Sequence, residues 1–127
     1  MVRDYISELI NNIKTGSKVG NTSVIVPYSK LILAIAESLK SVGFVLNIEK
    51  KGKKIIKFLE ITLNPEKPVE GAQRISKLSK RIYRGSDGVK THARMNGYYF
   101  LTTPKGILNH VEARKQNVGG ELLFKIW

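Results

Sequence analysis

The sequence predicts an α+β protein of two small lobes, a helix-strand-helix-hairpin lobe over residues 1–64 and a mainly β lobe over residues 69–127. Three observations predict it. Apolar residues recur at helical spacing in two segments before Gly43. Runs of β-forming residues dominate from Phe44 onward. Between them, Asn64-Pro65-Glu66-Lys67-Pro68 interrupts the pattern, because two prolines fix φ and remove backbone donors. Residues 65–68 are therefore the expected linker. The chain has 127 residues, 42% of them hydrophobic, which is enough for one ordinary domain or two small cores.

The elements follow in order. Ile6, Leu9, Ile10 and Ile13 stand at i, i+3, i+4 and i+7, one face of a helix over 4–15. Asp4 caps its start and Gly16 is the expected stop. Thr22–Val26 reads as a short strand closed by Pro27. Ser29 caps a second helix running to about Val42, with Gly43 just past its end. Phe44–Glu49 and Ile55–Leu63 read as the strands of a hairpin whose tip, Lys50–Lys54, is a charged turn. In the second lobe, Arg74–Lys77 and Arg81–Arg84 read as short strands, Val89–Met95 as a short helix, and Tyr98–Thr103 as a strand. Asn109 caps a helix over His110–Lys115, Val118-Gly119-Gly120 turns the chain, and Glu121–Trp127 is the last strand. No repeat and no low-complexity segment is present.

Charge is the strongest bulk signal. Lys and Arg number 22 against 10 Asp and Glu, a net +12. Ten cations face five acids up to Thr62, and twelve face five beyond it, so the excess covers the molecule and is not a basic tail. A compact body with that much self-repulsion implies a polyanionic partner, nucleic acid above all. No apolar run approaches the ~20 residues that span a bilayer. The N-terminal MVRDYISELI carries two acids and does not read as a secretory signal. There is no cysteine, which rules out disulfides, thiolate zinc sites and cysteine nucleophiles.

Nothing in the sequence points to catalysis. His92 and His110 have no metal-ligand spacing to each other or to a carboxylate, and read as surface or nucleic-acid-facing side chains. No G-x-S-x-G, P-loop or G-x-G-x-x-G occurs. Glu112 reads as half of a helix-face ion pair and Glu121 as a strand-start contact. No cofactor, metal, small-molecule substrate or membrane is expected. The segment Gln73–Arg84 is different. It holds Arg74, Lys77, Lys80, Arg81 and Arg84 with no acid, and Ile75, Leu78 and Ile82 are interleaved. On strands this alternation gives an apolar face behind and a cationic face in front, suited to phosphate. A second cluster, Leu101-Thr102-Thr103-Pro104-Lys105-Gly106, sets two hydroxyls, a cation and a glycine directly after a strand. Hydroxyls there can read 2′-OH groups and base edges in a shallow RNA groove, although a plain turn explains the same residues.

Thr102-Thr103-Pro104-Lys105-Gly106, then Glu112-Ala113-Arg114-Lys115, then Val118-Gly119-Gly120-Glu121 and a closing strand ending in Trp127 resemble the universal small-subunit ribosomal protein eight family of bacterial type. Its pattern is S-T-S-K-G, E-A-R, G-(V/I)-G-G-E and a final Trp, at matching spacing. Arg74-Ile75-Ser76-Lys77 with Arg81-Ile82-Tyr83 resembles its K-R-I-S-K-P-G-L-R-(V/I)-Y. Asp4-Tyr5-Ile6, Val26-Pro27 with Ser29-Lys30, and Gly43-Phe44 carry the likeness toward the N-terminus. The resemblance implies a structural protein of the small ribosomal subunit. It would bind the central domain of small-subunit ribosomal RNA, help assemble the platform and meet neighbouring ribosomal proteins.

Residue by residue, the resemblance implies RNA contacts from Thr102, Thr103 and Lys105, with Gly106 supporting the turn. Gly119 and Gly120 would allow close backbone approach, and Glu121 would accept from a base amino group or brace the site. Arg74, Lys77, Arg81 and Tyr83 match the basic strand pair. Arg114 and Lys115 on the short helix, and Lys14 and Lys30 in the first lobe, match cations near RNA backbone. Four positions depart from the pattern. Pro104 replaces a serine, Leu78-Ser79 replaces P-G, Phe124 replaces a Cys and Lys125 a Tyr. These departures fit a divergent bacterial or an organellar lineage, with the protein on ribosomes of the cytoplasm, a mitochondrion or a plastid. The competing readings are a DNA-binding regulator built on the two N-terminal helices and an enzyme acting on an acidic substrate. Against the first, a strand separates the helices where a helix-turn-helix has a turn of 3–4 residues.

Overall fold

A computed structural model describes residues 4–77, 79–85 and 97–127. Leu78, His92 and the helix expected over Val89–Met95 lie outside the described residues. The chain divides into two compact units, Met1–Glu70 and Gly71–Trp127.

In the first unit, α1 (Tyr5–Val19) starts where the Asp4 carboxylate accepts from the Ile6 and Ser7 amides, both at 3.2 Å. The helix does not stop at Gly16. It runs on to Val19 and ends at Gly20, which takes the left-handed conformation (φ 78°). Gly16 is instead buried in the helix, and a Cβ there would meet Val24 Cγ1 at 2.7 Å. Its lack of a side chain lets α1 close onto β1 (Ser23–Pro27). The second helix, α2 (Lys30–Ser41), starts at Ser29, whose hydroxyl accepts from the Ile32 amide at 3.1 Å. The hairpin strands are β2 (Val45–Gly52) and β3 (Lys57–Leu63), in an antiparallel sheet of order β1-β3-β2. Leu59, Ile61 and Leu63 of β3, with Val24 and Val26 of β1, are buried; so are Leu9, Ile10 and Ile13 of α1 and Ile32, Ile35 and Leu39 of α2. That is the core between helices and sheet, as period-2 and period-3.6 patterns require. The expected charged turn is displaced: β2 continues through Lys50 and Lys51, and the turn falls on residues 53–56. Asn64 Nδ2 donates to the Gly43 carbonyl (2.8 Å) and Lys67 Nζ to the Val42 carbonyl (2.5 Å), so this segment satisfies acceptors at the end of α2.

In the second unit, the sheet is built on its last strand, β8 (Gly120–Ile126). Both β4 (Ala72–Arg74) and β5 (Tyr83–Arg84) pair with β8, and β6 (Tyr98–Thr103) pairs with β8 as well. Outside β6 lies β7 (Gly106–Asn109), a strand the sequence did not suggest, because Ile107 and Leu108 alone make no β-forming run. Helix α3 (His110–Lys115) follows, with Asn109 Oδ1 accepting from the Glu112 amide at 3.0 Å. The strand expected over Arg74–Lys77 falls instead on Ala72–Arg74, and the one expected over Arg81–Arg84 is confined to Tyr83–Arg84. The Ile75 and Ser76 amides still donate to the Leu123 and Leu122 carbonyls (3.0 and 3.2 Å), and the chain then folds back where the Lys77 and Lys80 backbones exchange both hydrogen bonds (2.9 and 3.0 Å). Phe100, Leu101, Phe124 and Ile126 are fully buried, with Phe100 and Phe124 stacked at 5.1 Å. Partly buried Ile75 and Ile82 pack against Leu101, Leu122 and Ala113, the apolar face expected behind the basic segment. Among the described residues no helix is long and apolar enough to cross a membrane.

Candidate nucleic-acid interface

The turn joining β6 to β7 is built by its own side chain. Thr103 Oγ1 donates to the Gly106 carbonyl (2.8 Å) and accepts from the Lys105 amide (3.1 Å). Lys105 has negative φ and Gly106 has φ 111°. Pro104 thus stands at the i+1 position, where proline is favoured, and Gly106 takes the positive-φ conformation that glycine adopts without strain. Pro104 therefore suits the turn, although it lacks the serine hydroxyl and the amide donor. Lys105 and Gly106 are exposed, while Thr102 and Thr103 are half-buried.

Three strands meet at the start of β8. Glu121 lies opposite Tyr83 on β5 and opposite Thr102 on β6, so the three side chains share one face of the sheet. Tyr83 is exposed. Glu121 is buried, and its carboxylate holds Arg81 Nη1 at 3.0 and 3.3 Å. Glu121 thereby holds a guanidinium whose side chain is still 45% exposed. A fixed guanidinium loses little rotamer entropy when it meets an anion. Gly119 and Gly120 serve close approach within the protein. A Cβ on Gly120 would overlap the Thr102 carbonyl, and one on Gly119 would overlap the Arg84 carbonyl. The glycine pair is what lets β5, β6 and β8 converge.

The other basic residues fall into separate settings. Arg74 Nη1 donates to the Leu123 carbonyl at 2.6 Å. Leu123 is the extra residue where the β6–β8 register shifts, since Phe100 faces Phe124 and Leu101 faces Leu122. The same carbonyl accepts from the Ile75 amide at 3.0 Å, so Arg74 adds a second donor to it, a structural task its sequence position did not reveal. Lys77 is exposed on the small hairpin that it closes with Lys80. On α3, Arg114 is exposed and Lys115 lies 3.8 Å from Glu112, the expected helix-face pair. Lys14, half-buried on α1, and Lys30, exposed in the first turn of α2, belong to the first unit. The structure therefore brings together Thr102, Thr103, Lys105, Gly106, Gly119, Gly120, Glu121, Arg81 and Tyr83 on adjoining strands and loops. Arg74, Lys77, Arg114 and Lys115 lie on other segments of the same unit.

Sequence reasoning missed Ser76 and the packing of His110. Ser76 is completely buried, and its hydroxyl accepts from the Ile82 amide (2.8 Å) and donates to the Ile82 carbonyl (3.1 Å). It ties the two basic segments together. No local sequence signal marks it, because both bonds go to a residue six positions along the chain. His110 is half-buried at the start of α3. Its Nδ1 accepts from the Tyr99 amide at 3.2 Å, and its ring lies 5.8 Å from Tyr98 and 6.0 Å from Tyr99. Burial, and then the positive charge of Arg114, hold its pKa below the ordinary histidine value. Arg84, exposed on β5 and donating to the Tyr83 carbonyl at 2.8 Å, extends the basic edge. Among the described residues no group of His, Asp or Glu is placed to hold a metal ion.

A braced guanidinium, an exposed tyrosine and hydroxyl-bearing tight loops on one α+β sheet define a class, the polyanion-binding modules. Comparison with known proteins then names the family. The chain belongs to the ribosomal protein S8 family, whose model matches residues 4–127. It is similar to the small ribosomal subunit protein uS8 of Staphylococcus carnosus (strain TM300), 35% identical across 98% of this chain and 97% of that one. The protein of the same description from Chlorobium chlorochromatii (strain CaD3) is 34% identical over 99% and 98% of the two chains. That from Phytoplasma australiense is 32% identical over 100% and 99%. The likeness read from the C-terminal motifs thus extends over both units, and the relatives are bacterial.

Proposed function

We propose that this protein is a structural component of the small ribosomal subunit that binds the central domain of small-subunit ribosomal RNA and helps assemble the platform. Its working site is the face of the second unit where Tyr83, Glu121 and Thr102 lie side by side on three strands, with Arg81 held by Glu121. That juxtaposition carries the reading. Arg81 meets phosphate or a base edge, Tyr83 offers a stacking surface, and the Thr102 hydroxyl reaches ribose or base edges in a shallow groove. Lys105 at the β6–β7 turn, with Lys77, Arg74, Arg114 and Lys115, neutralises phosphates around this centre; Lys14 and Lys30 do so from the first lobe. The lobes at 1–64 and 69–127 divide the labour, the second recognising RNA and the first bracing the assembly. The role is structural, not catalytic. The ribosome is that of a bacterial cytoplasm or of an organelle derived from one.

A salt-titrated binding assay tests this, comparing the cognate irregular central-domain stem with a regular RNA duplex and a DNA duplex of equal length. The expected result is a preference for the irregular stem that survives moderate salt. Lys105→Ala should weaken binding and reduce the salt slope by about one charge. Equal binding to all three, or tighter binding to DNA, would overturn the reading.

A further inference from the structure

The tip of the β2–β3 hairpin is built against the usual chemistry of a turn. Turns favour Gly, Asn, Asp and Ser, yet residues 53–56 are Lys-Lys-Ile-Ile. Ile55 is 95% exposed and Ile56 76% exposed, so neither gains burial from folding. With Phe58 they line one open apolar cup on the surface of the first unit. A lone exposed aliphatic residue is ordinary, but adjoining ones converging on a cup mark an interaction surface. The cup has a cationic rim. Lys53 and Lys54 form part of its wall, and Lys57 adjoins it. None of these three has a carboxylate partner among the described residues, whereas nearby Lys51 is held by Glu60 at 3.2 Å and Glu49 at 3.6 Å.

We infer that this tip is a protein-docking surface whose cup, walled by Ile55, Ile56 and Phe58, receives an apolar segment rimmed by Asp and Glu on a neighbouring protein of the assembled particle. The charge of the rim selects among occupants. A second copy of the chain would set the same lysines against each other. Duplex RNA would satisfy the lysines, but it would press phosphates and hydroxyls onto two isoleucines while its bases stay stacked inside. An acidic protein segment with an apolar centre answers both halves of the patch. The inference rests on the ribosomal reading for the partner's location, and it uses no residue of the proposed RNA site.

The test places a benzophenone-bearing residue at position 55 in small subunits assembled from cognate ribosomal RNA and proteins, followed by irradiation and identification of the adduct. The expected adduct is with a protein segment whose aliphatic residues are flanked by carboxylates. Adding Ile56→Asp should lower its yield about tenfold, by setting a carboxylate against the acidic rim, while incorporation into the particle changes less than about twofold. Lys53→Glu with Lys54→Glu should lower the yield in the same way. An adduct with RNA, with a protein segment lacking acids, or with nothing would overturn the inference while leaving the ribosomal reading intact. Failure of the unmodified protein to enter the particle would overturn that reading, and this inference with it.

Discussion

The chain contains two hairpins that solve the same backbone problem in opposite surroundings. Each carries a glycine at nearly the same dihedral, Gly52 with φ 112° beside the β2–β3 tip and Gly106 with φ 111° beside the β6–β7 tip. At Gly52 a Cβ would overlap the Ile56 carbonyl and approach the Lys57 Cα at 3.0 Å. At Gly106 it would meet nothing within 4 Å. The β6–β7 turn closes on itself through the Thr103 hydroxyl and Pro104, leaving Lys105 presented on a short rigid loop. The β2–β3 tip leaves its isoleucines in solvent. One hairpin spends its polar groups internally so that a cation is held in place. The other keeps apolar surface uncovered. Backbone geometry alone does not separate the two; what surrounds each glycine does.

Substitutions at four positions sharpen or break that contrast. Gly52→Ala should cost the most, about 3 kcal/mol in urea unfolding, because positive-φ strain adds to overlap with backbone that has no rotamer to yield. Gly106→Ala should cost about 1–2 kcal/mol, strain alone. If the two losses came out equal, the crowding at Gly52 would have no energetic meaning. Affinity for the ribosomal RNA stem should fall with Gly106→Ala and stay unchanged with Gly52→Ala; the reverse order would put RNA binding at the wrong hairpin. Thr103→Ala removes two hydrogen bonds from a solvated turn and should cost about 1 kcal/mol or less, with Thr103→Ser restoring most of it. The smallest effect is a pH dependence next to the β6–β7 hairpin. His110 is favoured neutral in the fold, so its folded pKa lies below the ordinary 6.5. The unfolded chain then binds more protons between the two values, and stability falls as pH drops from 6.5 through the folded pKa. Urea midpoints measured from pH 7.5 downward should show this loss, and His110→Gln should remove its contribution.

Helix starts were legible because capping is local. Asp4, Ser29 and Asn109 each stand one residue before a helix and accept from its first amides. Helix ends were less so. Gly16 has the composition of a stop but the position of a packing residue, and only the approach of Val24 distinguishes the two. The hairpin of β2 and β3 was visible from its β-forming runs, yet its turn lies further along than the run of lysines implied. Strand β7 escaped notice because two apolar residues carry no period; it exists because β6 offers it an edge. In the candidate site, Thr103, Lys105, Arg81 and Tyr83 were named from motif and charge. Ser76 was not, since a buried hydroxyl that satisfies both backbone groups of Ile82 has no signature in its own neighbourhood. Nor did sequence tell that Arg74 serves a carbonyl of the β8 bulge before it serves any partner.

By itself the sequence determined the α+β class, the helix starts, the alternation of buried and exposed strand residues, and a net charge of +12 that calls for a polyanion. These follow from local periodicity, capping and composition, which act over a few residues or over the whole chain at once. Only the tertiary structure decided the pairings between distant residues. Arg81 meets Glu121 across 40 positions and Arg74 meets Leu123 across 49, and β8 carries a one-residue register shift against β6. Register is set by how Phe100, Phe124 and their neighbours pack, and a shift of one residue turns each side chain to the opposite face. The contact of Glu121 with Arg81 was therefore decided by packing across the sheet, not by its place in a motif.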